Sequence, residues 1–171
     1  MQEEEVELSA GNAEAALAAG LKGVADLGEL GERGWLSTVA GHAAEALYRL
    51  GRDDEAWQMT ETADEAGAPD DVITQMLILQ VRAKVLSRRG EHAEAERLGR
   101  EAVAWGDPTD ALAHKADSYR DLAIVLSAAG KRDEALSALA EARAFYEAKG
   151  HTVGVANVEE LRAGLVASLE A

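Results

Sequence analysis

Along this chain, apolar residues return at helical spacing in stretches separated by short polar or glycine-containing breaks, the pattern of helices that each bury one stripe. The stretches predict helices near 2–10, 12–30, 34–50, 53–67, 71–89, 92–105, 109–129, 132–149 and 151–169. In the last, Val155, Val158, Leu161, Leu165 and Leu169 fall on one face with Glu159, Glu160 and Arg162 beside them. That helix has no following partner, so it is expected to cap the C-terminal end of the core and show water its other side.

A repeat is superimposed on the helical pattern. Gly11, Gly51, Gly90 and Gly130 are separated by 40, 39 and 40 residues, and the last three open the similar runs GRDDEA, GEHAEA and GKRDEA. Other columns keep the same register: Ala44, Ala83 and Ala123 before the glycines, then Leu47, Leu86 and Leu126; after them Ala16, Ala56, Ala95 and Ala135, then Ala63, Ala102 and Ala142. Small residues at fixed places on successive helices are what close helix approach requires. A period of this length signals stacked helix pairs that cover one another's apolar faces. Each glycine follows an apolar helix and precedes polar residues, as a left-handed C-cap does, and Asp53 and Asp133 then fall near helix starts, where their charge suits the dipole. APDD at 68–71 and GDPTD at 106–110 mark turns at which Pro69 and Pro108 end the preceding helix.

The expected organisation is one domain over 1–171, with repeats near 1–30, 31–70, 71–109 and 110–150 and a capping helix at 151–171. The first helix is short and has Glu4 in the alanine column. A solenoid entered part-way, as in a piece of a longer protein, would look like this; so would a natural acidic cap.

Composition narrows the picture. Aromatic residues make up 4% of the chain and there are two prolines, while alanine and leucine recur throughout, so an all-α class is expected. There is no cysteine, hence neither a disulfide framework nor a thiol nucleophile. The Glu-rich start and the lack of a long apolar run point to a cytoplasmic protein. A formal charge of −15 opposes nucleic acid and anionic membrane as partners.

The columns together, a small residue, leucine, glycine, a Glu-Ala pair, a second alanine and proline at the repeat end, resemble tetratricopeptide repeats over essentially the whole chain. The period exceeds that family's usual ~34. The resemblance implies a right-handed α-solenoid of about four helical hairpins with a capping helix, acting as a non-enzymatic protein-interaction scaffold. GERGWLSTVA at 31–40, APDD at 68–71 and RAKVLSRRGEHAEAERLGREAVA at 82–104 further resemble the C-terminal repeat region of large bacterial signalling proteins that join a class III adenylate or guanylate cyclase domain, an NTPase module and a helical tail, or of large transcriptional activators. That resemblance implies a regulatory tail.

Catalytic signatures are missing: the chain has no GxxxxGK[ST], HExxH or GxSxG, and His42, His92, His114 and His151 are dispersed about one per repeat, as surface or packing histidines are. No cofactor or metal is expected. Carboxylate pairs such as Asp53 with Asp54 read as solvated helix faces.

The helix near 71–89 inverts the overall charge, carrying Arg82, Lys84, Arg88 and Arg89 with no acid between Asp71 and Glu91. The family resemblance places Leu77, Gln80, Lys84, Ser87 and Arg88 in the groove, with Thr38, Gly41, Glu45, Tyr48 and Arg49 on the helix before and Asp117, Arg120, Ile124, Ser127 and Ala128 on the helix after. Two readings follow. Arg49, Gln80, Lys84, Arg88 and Arg120 form a basic strip that receives an acidic protein or peptide segment, with Tyr48 as a contact; or these cations answer helix dipoles and the acids of adjacent helices. Alternatives to a protein-binding scaffold are a peptide or small-ligand sensor and a self-assembly module. Trp35, Trp57 and Trp105 are expected mainly in packing, and the resemblance places Tyr119 at a position usually buried between helices.

Overall fold

The computed structural model describes residues 3–167, and among them the architecture is all-helical. The helices are α1 (Glu3–Ser9), α2 (Ala13–Leu30), α3 (Arg33–Arg49), α4 (Asp53–Ala66), α5 (Val72–Arg88), α6 (His92–Gly106), α7 (Leu112–Ala128), α8 (Arg132–Lys149) and α9 (Thr152–Ala167). Leu169, assigned from the sequence to the apolar stripe of the last helix, lies outside the described residues.

The glycines at the period of the sequence all adopt the left-handed conformation, with φ of 83° at Gly11, 73° at Gly51, 81° at Gly90 and 74° at Gly130. At Gly51 the backbone closes a Schellman turn, Gly51 N–H to Tyr48 O at 3.0 Å and Arg52 N–H to Leu47 O at 2.9 Å. The same pair of bonds forms at Gly90 and Gly130, where Leu86 and Leu126 supply the accepting carbonyls. The leucine column thus marks the residue whose carbonyl the turn must satisfy. Asp71, read as the first helical residue of α5, is instead its N-cap and accepts from the Thr74 backbone N–H. Helix α7 starts at Leu112 rather than near 109, because the Thr109 hydroxyl accepts from the Ala111 N–H and holds a turn there.

Helices α3 with α4, α5 with α6 and α7 with α8 pack as antiparallel pairs, and α4 and α6 each pack back on the first helix of the next pair. The first helices also touch directly, α1 on α3, α3 on α5 and α5 on α7, which produces an inner layer of odd-numbered helices and an outer layer of even-numbered ones. The alanine columns lie at these crossings. Ala44, Ala56, Ala63, Ala83, Ala95, Ala102, Ala135 and Ala142 have no exposed surface. Close approach is visible at Gly41, where an added Cβ would stand 2.9 Å from Leu77 Cβ.

At the C-terminal end α9 packs on α8: Val158 is buried, and Val155, Leu161 and Leu165 lie against the cluster formed by Leu122, Leu126, Leu139 and Tyr146. At the N-terminal end Glu4 occupies the alanine column as a buried residue, its carboxylate 3.6 Å from His42 Nδ1. No described helix is long and apolar enough to cross a membrane.

Candidate functional site

Because α3, α5 and α7 lie side by side one period apart, residues in one sequence column become neighbours across the inner face. Glu45, Lys84 and Ile124 occupy such a column, and Lys84 reaches both adjoining helices. Its Nζ lies 2.5 Å from Glu45 Oε2 on α3 and 2.5 Å from Asp121 Oδ2 on α7. The ladder continues in both directions. Arg49 donates Nε to Glu45 Oε1 at 2.8 Å and Nη1 to the Leu8 carbonyl at 2.7 Å, while Arg120 pairs with Asp121 at 2.8 Å and Asp117 at 2.7 Å. The Tyr146 hydroxyl donates to Asp117 and accepts from Arg120 Nη1, tying α8 to the same ladder.

Lys84 is 1% exposed and Asp121 2%. Burial alone would raise the Glu45 carboxyl, but the charges of Lys84, Arg49 and Arg120 and the hydrogen bond from Lys84 overcome it and hold the carboxyl down to about 2. Burial likewise opposes the charge on Lys84, yet Asp121 and Glu45 raise its ammonium above the usual lysine value. These groups are driven further into their charged forms, the reverse of the tuning that general acid–base catalysis needs. The ladder is suited to holding helices in register.

Residues singled out from the sequence divide accordingly. Tyr48, Arg49, Lys84 and Arg120 line a single groove of about 650 Å³, together with Glu45, Asp121, Ile124 and Ser127 and with Asn157, Glu160, Leu161, Gly164 and Leu165 of α9. Gln80 does not line this groove: it is buried, its amide donating to the Ser118 hydroxyl at 2.7 Å. Arg88 is exposed at the rim, with its guanidinium carbon 3.6 Å from the Tyr48 ring centroid and Nη1 bound to the Tyr48 carbonyl at 2.8 Å and Asp53 at 2.5 Å. The cations of the expected basic strip are therefore all engaged by acids of their own chain. Within the ladder, Arg49, Lys84 and Arg120 face Glu45, Asp117 and Asp121, charge for charge.

Several participants were not singled out from the sequence: Asp121, Ser118, Tyr146 and the α9 wall. Asp121 and Tyr146 gave no signal on their own, but the one-period offset between Glu45 and Lys84 was available as a pairing rule. Arg88 with Asp53 and Arg89 with Asp54 obey a similar offset, both 35 residues apart.

The tryptophans do not behave alike. Trp57 and Trp105 pack against the cluster around Leu79, Leu86 and Leu98, with Arg82 and Arg89 over the Trp57 ring, whereas Trp35 is 62% exposed. Tyr119 is half-buried and stacks on Phe145 at 5.7 Å. Among the described residues no group of three or more histidines and carboxylates is arranged to hold a metal ion.

Residues 74–148 match the family model described as tetratricopeptide repeat. The chain is similar to the nearly identical TPR-like repeats of a Podosopora anserina protein named as a kinesin light chain, with 18% identity, 97% of this chain and 92% of that one covered, and a TM-score of 0.53. It is also similar to BtubC (BKLC) from P. vanneervenii, with 16% identity, 98% and 78% covered and a TM-score of 0.55. No curated protein matches the chain. The fold is thus a helical solenoid of the tetratricopeptide type.

Proposed function

We propose that this chain is a non-catalytic scaffold that holds a segment of another protein in the groove between α3, α5, α7 and α9. Tetratricopeptide repeats generally mediate protein–protein interaction. The observation that carries the proposal here is the groove, about 650 Å³, lined by polar and charged side chains such as Tyr48, Arg49 and Arg120 and by apolar ones, Ile124, Leu161 and Leu165. Three of its bounding helices, α3, α5 and α7, are joined by the buried ion ladder, so little ordering of that part is needed on binding. A single face of this kind supports micromolar affinity, about −8 kcal/mol.

In this proposal Tyr48, Arg49, Arg88 and Arg120 are contact residues, whereas Lys84 shapes the wall and Gln80 braces α5 on α7 through Ser118. The ladder's own carboxylates give an acidic segment no net attraction, so the partner is defined by more than negative charge. The stretches at 31–40, 68–71 and 82–104 support placing the domain as the regulatory tail of a larger bacterial signalling protein, where a groove-bound segment would report to a domain elsewhere.

A photo-crosslinking amino acid at Ser127, in the groove, compared with one at exposed Gln58 on α4, tests the scaffold. A discrete protein adduct from position 127 and none from 58 is expected. Adducts from 58 alone would reject the groove.

A further inference from the structure

The ion ladder neutralises itself, and this changes what the groove has left to offer. Of the charged side chains lining it, Arg49, Lys84 and Arg120 are each held by Glu45 or Asp121. Glu160 is different: it is exposed on α9, lines the groove, and has no ion-pair partner among the described residues. Asn157, one turn earlier on the same wall, is likewise exposed, and its side-chain amide makes no hydrogen bond among the described residues.

Beside Glu160 the groove opens into an apolar recess of about 130 Å³ lined by Ala123, Ile124, Ser127, Leu139, Leu161 and Leu165. A dry cavity of about 150 Å³ accepts benzene, so this recess has room for one aliphatic side chain. Leu161 and Leu165 line both the recess and the groove, which places an apolar anchor point next to an uncompensated carboxylate. The whole chain carries −15, a field that draws in cations and repels anions.

We infer that the groove recognises a cationic segment with an aliphatic anchor: a Lys or Arg paired with Glu160 and a neighbouring Leu-, Ile- or Val-type side chain in the recess. This rests on the scaffold function proposed above and specifies its partner, reversing the sign of charge that the arginines and lysines suggest when counted alone. The Asn157 amide is placed to meet the backbone of such a segment.

A random dodecapeptide display library selected on the intact chain provides the test, with three variants for sorting the binders. Gly164→Trp places an indole in the groove; an added Cβ at Gly164 meets nothing within 4 Å, so the position admits a side chain. Glu160→Lys reverses the proposed contact, and Glu61→Lys makes the same change of charge at an exposed site on α4. Equal helicity of all four proteins is checked by circular dichroism. The expected result is a set of peptides that Gly164→Trp abolishes, that carry Lys or Arg near an aliphatic residue, and that weaken by about tenfold or more on Glu160→Lys but not on Glu61→Lys. Exchanging the peptide's cation for Glu should recover binding to Glu160→Lys. Groove-dependent peptides that are acidic, or indifferent to Glu160→Lys, would overturn this inference and leave the scaffold standing. Equal weakening by both charge reversals would also overturn it, as field attraction without a site. If no selected peptide responds to Gly164→Trp, the groove is not a binding face and both proposals fall.

Discussion

Lys84 Nζ lies 2.5 Å from Glu45 Oε2 although 39 residues of sequence separate them. The separation equals the distance from Gly51 to Gly90, so the pair is a direct product of the repeat: two residues in one column, set side by side when successive helix pairs stack. Neither charge would be stable in that position alone, since desolvating an isolated ion costs several kcal/mol. Asp121 on the far side of Lys84, and Arg120 beyond it, carry the pairing from α3 through α5 to α7. What looks in one helix like a basic strip is, in three dimensions, the middle of a ladder of alternating sign.

Removing the middle rung should therefore be costly. Lys84→Met leaves Glu45 and Asp121 buried without their ammonium, and we expect a loss of about 3–5 kcal/mol in urea-induced unfolding. Arg97→Met is the matched control, because Arg97 bridges Glu94 and Glu101 on an exposed face and such pairs contribute about 0–1 kcal/mol. Equal effects of the two substitutions would mean that the ladder does not hold the inner layer together. It follows that Lys84→Glu cannot serve as a probe of binding, since it would change the fold before it changed the surface.

The helices were largely legible from the sequence because the signals that set them are local. Gly51, Gly90 and Gly130 end helices through their own backbone conformation, and the alanine columns mark buried positions that recur in the α3–α4, α5–α6 and α7–α8 pairs. Charge pairing was not legible to the same degree. Arg88 finds Asp53, and Arg100 finds Glu134, only once the stacking offset is known. Within its own helix Lys84 has no acid at i±3 or i±4, so a count of local charge assigns it to solvent. The groove wall from α9 went unread for another reason: Asn157 and Glu160 stand one period after Asp117 and Arg120, in columns already assigned to the groove, but a helix with no following partner reads as a cap and the register was not carried into it.

The ladder also predicts an acid limit to stability. Glu45 is held at about 2 in the folded chain against an ordinary value of 4.5, so its contribution is complete above 4.5 and disappears as pH falls from there through about 2. Lys84, raised by its two carboxylates, contributes at every pH below its ordinary 10.5 and loses that contribution only as pH rises through its folded value. Thermal unfolding followed at pH 7 and pH 3 should show a larger fall for the wild-type chain than for Glu45→Gln, which has already lost the titrating group. Parallel falls would place the acid sensitivity elsewhere.

The different settings of the tryptophans give an optical check on the fold. Trp35 is 62% exposed, whereas Trp57 and Trp105 pack beside Leu79 and Leu98. Variants retaining only Trp35 should emit at longer wavelength and be quenched more steeply by acrylamide than variants retaining only Trp57 or Trp105. If Trp35 is the best protected of the three, the α2–α3 turn is covered in solution by something the isolated fold lacks.

The attachment of α9 depends on a glycine as much as on its leucines. An added Cβ at Gly154 would stand 2.5 Å from Tyr146 Cδ1, and Tyr146 is 2% exposed and bonded through its hydroxyl to Asp117. The ring cannot yield without pulling its hydroxyl off the ladder, so α9 must move instead. Alanine would be favoured over glycine in an exposed helix by roughly 1 kcal/mol, while overpacking costs about 1–3 kcal/mol. We expect Gly154→Ala to be destabilising on balance and to speed amide exchange across α9 before the rest of the chain, with Gly164→Ala, which meets nothing within 4 Å, stabilising or neutral. If both glycines tolerate alanine equally, α9 is not seated on Tyr146, and the groove wall that carries Glu160 is not where the partner site requires it.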